Sequence, residues 1–102
     1  MFIHTVYFWM TKDAPASAQD ALIKGCLELL GKIPTVKQIW AGKPAMTPRD
    51  VVDNSYQVGL TVVLGDSEGH DVYQTHPLHL EFIKQHKAYW QRVQVYDYKP
   101  QV

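Results

Sequence analysis

The chain has 102 residues, a single cysteine, and ten basic residues against ten acidic ones, giving zero formal charge. That length holds one hydrophobic core, so a single domain over residues 1–102 is expected, small enough that a partner subunit would help to stabilise it. The balanced charge, with no basic stripe to meet phosphates, argues against nucleic acid as a partner; Cys26 has no second thiol to pair with, so no oxidising compartment is called for.

The N-terminal MFIHTVYFWM lacks the basic region and small-residue cleavage site of a signal peptide and is too short to span a bilayer. It reads as a strand, with Phe2, His4, Val6, Phe8 and Met10 on one face and Ile3, Thr5, Tyr7 and Trp9 on the other. A cytoplasmic protein with no membrane partner is expected. Ser17 followed by Asp20 predicts a helix start of capping-box type, and Ala18, Ala21, Leu22, Cys26, Leu29, Leu30 and Ile33 form its apolar stripe. Cys26 belongs to that stripe as a small core residue, and Pro34 ends the helix.

VKQIWAGK (36–43) predicts a second strand and PAMTPRDVVDNS (44–55) a loop. In YQVGLTVVL (56–64), Tyr56, Val58, Leu60, Val62 and Leu64 share one face of a third strand. A short helix over 67–75, a break at His76-Pro77 and a further helix from Pro77 to about Tyr89 follow. RVQVYDY (92–98) is the last strand. The order is the ferredoxin-like βαββαβ arrangement, an α+β fold with a four-stranded antiparallel sheet carrying its helices on one face. Either face of the first strand is too apolar for water, so the bare side predicts a homodimer, two sheets closing into a dimeric α+β barrel.

HTVYFWM, GKIPTVKQIWAGK, the strand opening at Tyr56, YQTHPLH and VYDYKP together resemble the stress-responsive A/B barrel (Dabb) domain family, over about residues 2–100. The resemblance implies an obligate homodimer with a small pocket between the sheet and the second helix, but no single reaction. Some plant members are similar to polyketide cyclases that need neither metal nor nucleotide. On that likeness His79, the second histidine of HPLH, is the base and Tyr73 its partner, and His4 matches a pocket histidine. Val58 stands where those members carry a further histidine.

The residue types suit that chemistry. A neutral imidazole can take a proton from carbon beside a carbonyl, and a phenol can hydrogen-bond to the enolate. His79 and Tyr73 are therefore the catalytic candidates, and His4, His76 and Phe82 the ligand-binding ones, with His76 also placed to cap the helix after it. HPLH has H-x-x-H spacing, and His86 shares a helical face with His79, but a zinc site wants three protein ligands and H-E-x-x-H is absent. No metal and no cofactor are expected; no glycine-rich phosphate cradle or G-x-S-x-G elbow is present. Three functions fit: a homodimer binding a small hydrophobic or aromatic ligand, a cofactor-free lyase or cyclase acting on an activated carbonyl, and a cofactor-independent monooxygenase.

Overall fold

A computed structural model describes residues 1–101. Strands β1 (Phe2–Met10), β2 (Val36–Gly42), β3 (Val58–Leu64) and β4 (Trp90–Tyr98) form one antiparallel sheet in the order β2-β3-β1-β4. Helices α1 (Ser17–Glu28), α2 (Ser67–Thr75) and α3 (Pro77–His86) complete the ferredoxin-like order, α1 and α3 each running into a single 3-10 turn. Where the first helix was expected to run unbroken to Pro34, its last turn tightens at Leu30–Lys32 and Ile33 turns extended, as a residue before proline must.

Ser17 does not cap α1. Ala16 holds that position with helical angles and has no side-chain atom to bond, Ser17 is the first residue of the helix, and the Ala18 N–H donates to the Pro15 carbonyl at 2.9 Å. Asp66 does cap α2, its carboxylate accepting from the Gly69 N–H at 2.7 Å. β3 starts at Val58 rather than Tyr56, since Gln57 is used otherwise: its N–H donates to the Phe8 carbonyl and its side-chain oxygen accepts from the Met10 N–H. β4 starts early, at Trp90, across a bulge between Trp9 and Met10.

Register decides which side chains meet. Residues opposite one another in antiparallel strands point to the same face. One row across the sheet is Ile39, Val62, His4 and Asp97, and the next in sequence is Trp40, Thr61, Thr5 and Tyr96. The first row faces the helices. There Phe2, Val6, Phe8, Val58, Leu60, Val62 and Leu64 pack with Leu22, Cys26, Leu30 and Ile33 as the core. Burial pushes the Cys26 thiol up to about 12, so it is an unreactive core group. Gly25 sits where α1 meets α3, and a methyl there would overlap His86 Nε2.

The second row belongs to a face that no helix covers. Trp40 is 56 % and Tyr96 60 % exposed, Tyr98 is exposed beside them, and Tyr7 packs edge-on against both Tyr56 and Tyr96. The Arg92 guanidinium lies over the Trp9 ring, 4.2 Å from its centroid, a contact that gains strength when water is excluded.

Candidate ligand pocket and proton-transfer site

Local sequence puts four side chains around one space. The β1 alternation turns His4 inward among Phe2, Val6 and Phe8. The Asp66 cap fixes the start of α2, so that Tyr73 faces the sheet in its last turn, fully buried. Pro77 restarts the chain as α3 at a new angle, and His79 and Phe82, three residues apart, fall on the inner side of that helix. His4, Tyr73, His79 and Phe82 line a cavity of about 190 Å³, walled otherwise by Gln74 and by largely apolar side chains including Leu60 and Val95. For scale, an apolar cavity of about 150 Å³ accommodates benzene. Space for a substituted six-membered ring is present.

Tyr73 stands between the two imidazoles. Its ring centroid is 5.5 Å from that of His4 and 4.9 Å from that of His79, edge-on to both. His4 Nδ1 and Asp97 Oδ1 are 2.6 Å apart. Burial depresses the His4 pKa below its ordinary value and outweighs the opposing pull of Asp97. His79 is lowered as well, first by burial and then by the neighbouring His4 and His70. Tyr73 is pushed well above the ordinary phenol range, chiefly by burial. At neutral pH the pocket therefore holds two uncharged imidazoles and a protonated phenol: two groups able to accept a proton and one able to donate a hydrogen bond to a forming oxyanion.

His76 lies apart from this group. It caps α3, its Nδ1 accepting from the Leu78 N–H at 3.1 Å, with the extended backbone that Pro77 imposes. It does not line the cavity. Val58, fully buried opposite Phe8, is also outside it.

Two polar residues beside the pocket went unnoticed in the sequence. Asp97 is one, and its signal was there to read: Val93, Val95 and Asp97 share a face of β4, so a carboxylate falls on an apolar row. His70 is the other; it stacks on Phe2 with centroids 4.4 Å apart and sets Nε2 3.9 Å from Asp97 Oδ2. His4, His70 and Asp97 bring ligating atoms within 4.8 Å of one another. At 2.6 Å, however, the His4–Asp97 pair is too close to hold a cation between them, since metal–nitrogen and metal–oxygen bonds of roughly 2 Å each require a wider gap. His86 lies on the same helix as His79 with Phe82 between them, but it is outside the cavity, and its Nε2 is buried against α1 without a partner.

A pH effect on folding follows. His4, His79 and His86 all have folded-state pKa values depressed below 6.5 by burial. The unfolded chain then binds more protons in that window, so stability is full above about pH 6.5 and falls as pH drops toward the folded values. Urea midpoints at pH 7.5 and pH 5.0 should differ, with the lower midpoint at pH 5.0, and His86→Gln should narrow the difference. Equal midpoints would contradict the assignment of neutral buried histidines.

The sequence model of the stress-responsive A/B barrel domain, Dabb, matches residues 2–100. The chain belongs to the Dabb family. Solved structures agree in fold. A protein from Arabidopsis thaliana superposes with a TM-score of 0.84 at 24 % identity, over 100 % of this chain and 97 % of that one. A dimeric ferredoxin-like protein of unknown function from Thermobifida fusca has a TM-score of 0.80 at 16 % identity, over 95 % of this chain and 88 % of that one. The hydroxynitrile lyase of Passiflora edulis has a TM-score of 0.78 at 16 % identity, covering 95 % of this Dabb chain and 90 % of its own. No curated protein matches this Dabb chain. Among its described residues no helix is long and apolar enough to cross a membrane.

Proposed function

We propose that this Dabb protein is a single-domain homodimer whose pocket binds a small, largely apolar carbonyl compound and moves a proton on it without a cofactor. The observation that carries the reading is the placement of Tyr73 edge-on between His4 and His79 at the wall of one cavity. A pocket meant only for apolar retention has no need of three ionisable groups, because each costs desolvation energy that an aliphatic side chain would not. Depressed imidazole pKa values leave free bases at neutral pH, which proton abstraction requires. The hydroxynitrile lyase of similar fold from Passiflora edulis supports this reading by analogy.

Dimerisation is supported by the uncovered aromatic sheet face and by the dimeric ferredoxin-like relative from Thermobifida fusca. The test of the activity needs no knowledge of the natural substrate. Aryl ketones and β-dicarbonyl compounds are incubated with the protein in deuterium oxide, and loss of the C–H signal beside the carbonyl is followed by NMR. Exchange faster than in buffer for at least one compound is expected, abolished when Val95→Trp fills the pocket from its rim. Exchange at the buffer rate for every compound would overturn the reading.

A further inference from the structure

The two imidazoles of the pocket differ in one respect that matters chemically. His4 is held by a carboxylate and His79 is not. Asp97 can only accept a hydrogen bond while ionised, so the 2.6 Å contact places the ring proton of neutral His4 on Nδ1. The lone pair is then on Nε2. His4 is 4 % exposed and lines the cavity, and no other hydrogen bond of its ring is found among the described residues. His79, by contrast, has a buried Nδ1 with no hydrogen-bond partner, so nothing in the fold selects its tautomer or fixes its ring.

From this geometry we infer that His4 is the group that takes the proton, with Asp97 as its positioning residue, and that His79 with Tyr73 serves the oxygen side of the substrate. The assignment rests on the proton-transfer reading of the pocket and moves the base from the α3 histidine to the β1 histidine. The step balances as follows. The Nε2 lone pair of His4 forms a bond to the proton on the carbon beside the carbonyl. The C–H electron pair becomes the carbon–carbon double bond of the enolate, and the carbonyl π pair moves to oxygen, where the Tyr73 hydroxyl or a ring N–H of His79 donates to it. His4 becomes an imidazolium whose Nδ1–H remains bonded to the Asp97 carboxylate. In deuterium oxide the proton on Nε2 is replaced by a solvent deuteron, and return of that deuteron to carbon restores the neutral imidazole and leaves the ketone labelled.

The sheet explains why such a pair exists. His4 and Asp97 are cross-strand neighbours on the helix-facing side, β1 against β4. Two backbones therefore fix their separation, and strands position a site more tightly than loops do. The groups facing His4 are Asp97 from β4, His70 and Tyr73 from α2, and His79 from α3. His70 Nε2 lies 3.9 Å from the second oxygen of Asp97, beyond hydrogen-bond reach, and instead meets the Gln74 amide nitrogen at 3.1 Å, so Asp97 is left to His4.

Nitrogen-15 NMR of the histidine rings of the wild-type protein tests the positioning directly, with no substrate. The expected result is a proton on His4 Nδ1, with a strongly deshielded N–H signal, and an unprotonated Nε2; a proton on Nε2 overturns the assignment whatever the activity proves to be. Asp97→Asn is then expected to lower the rate of deuterium exchange on the order of 10²-fold while leaving ketone affinity unchanged, because the ring loses its fixed tautomer and its counter-charge but the cavity keeps its shape. An unchanged exchange rate in Asp97→Asn, with the His4 signal lost, overturns the catalytic part. Absence of exchange in the wild-type protein, with the His4 signal present, sinks the proton-transfer reading itself.

Discussion

His79→Ala is expected to slow deuterium exchange into a bound ketone on the order of 10²-fold, the scale of losing one donor to a developing oxyanion. The size follows from where His79 stands. It flanks Tyr73 on the side opposite His4, so its loss opens the cavity and removes one of the two groups that can stabilise charge on the substrate oxygen. The ring is half-buried on α3, and truncation removes an imidazole that already lacks a partner for Nδ1, so the fold should tolerate the change. Thermal unfolding of the variant close to that of the wild type, together with lost exchange, separates a chemical role from a structural one. Equal exchange rates would remove His79 from the reaction.

Tyr96→Glu should convert the homodimer to a monomer. Tyr96 is 60 % exposed in the single chain, in a row with Thr5, Thr61 and Trp40 on the face that no helix covers. If two such faces pack together, the twofold buries two glutamates per dimer. At roughly 3 kcal/mol for each unpaired buried charge, the dimer weakens by about 10⁴-fold. Leu80→Glu is the control: Leu80 is equally apolar and 57 % exposed, but it lies on α3 on the opposite side of the sheet. Sedimentation of Tyr96→Glu as a monomer beside a dimeric Leu80→Glu is expected. The reverse pattern would place the interface on the helices.

Much of this arrangement was legible because period and punctuation agree. The alternation of β1, the charge-free β3 and the breaks at Pro34 and Pro77 each give one local answer, and the observed elements follow it to within a few residues. The ends were less legible. Ser17 had the chemistry of a cap but is taken into the helix as its first residue, and Tyr56 continues the β3 alternation yet sits beyond the ladder because Gln57 is drawn to β1. The second outcome depends on a strand distant in sequence.

The candidate site divides along the same line. Tyr73, His79 and Phe82 come from one continuous segment: helical spacing puts His79 and Phe82 on one side of α3, and Tyr73 lies just before the His76-Pro77 break. Asp97 meets His4 across ninety-three positions of chain, and only the β1–β4 register makes them neighbours. A lone histidine on one apolar row and a lone aspartate on another are each unremarkable in a strand. Their pairing is a property of the sheet.

Titration of the protein with a ketone found in the exchange screen, followed through the ring signals of its histidines and tyrosines by NMR, tests the location and chemistry of the pocket together. With the tryptophan indole signals followed as well, His4, Tyr73 and His79 are expected to shift in concert along a single binding curve, with Trp40 and Tyr96 unmoved. Shifts confined to Trp40 and Tyr96, with the three pocket rings silent, would show that the ligand binds on the open sheet face and that the cavity beneath α3 is only packing.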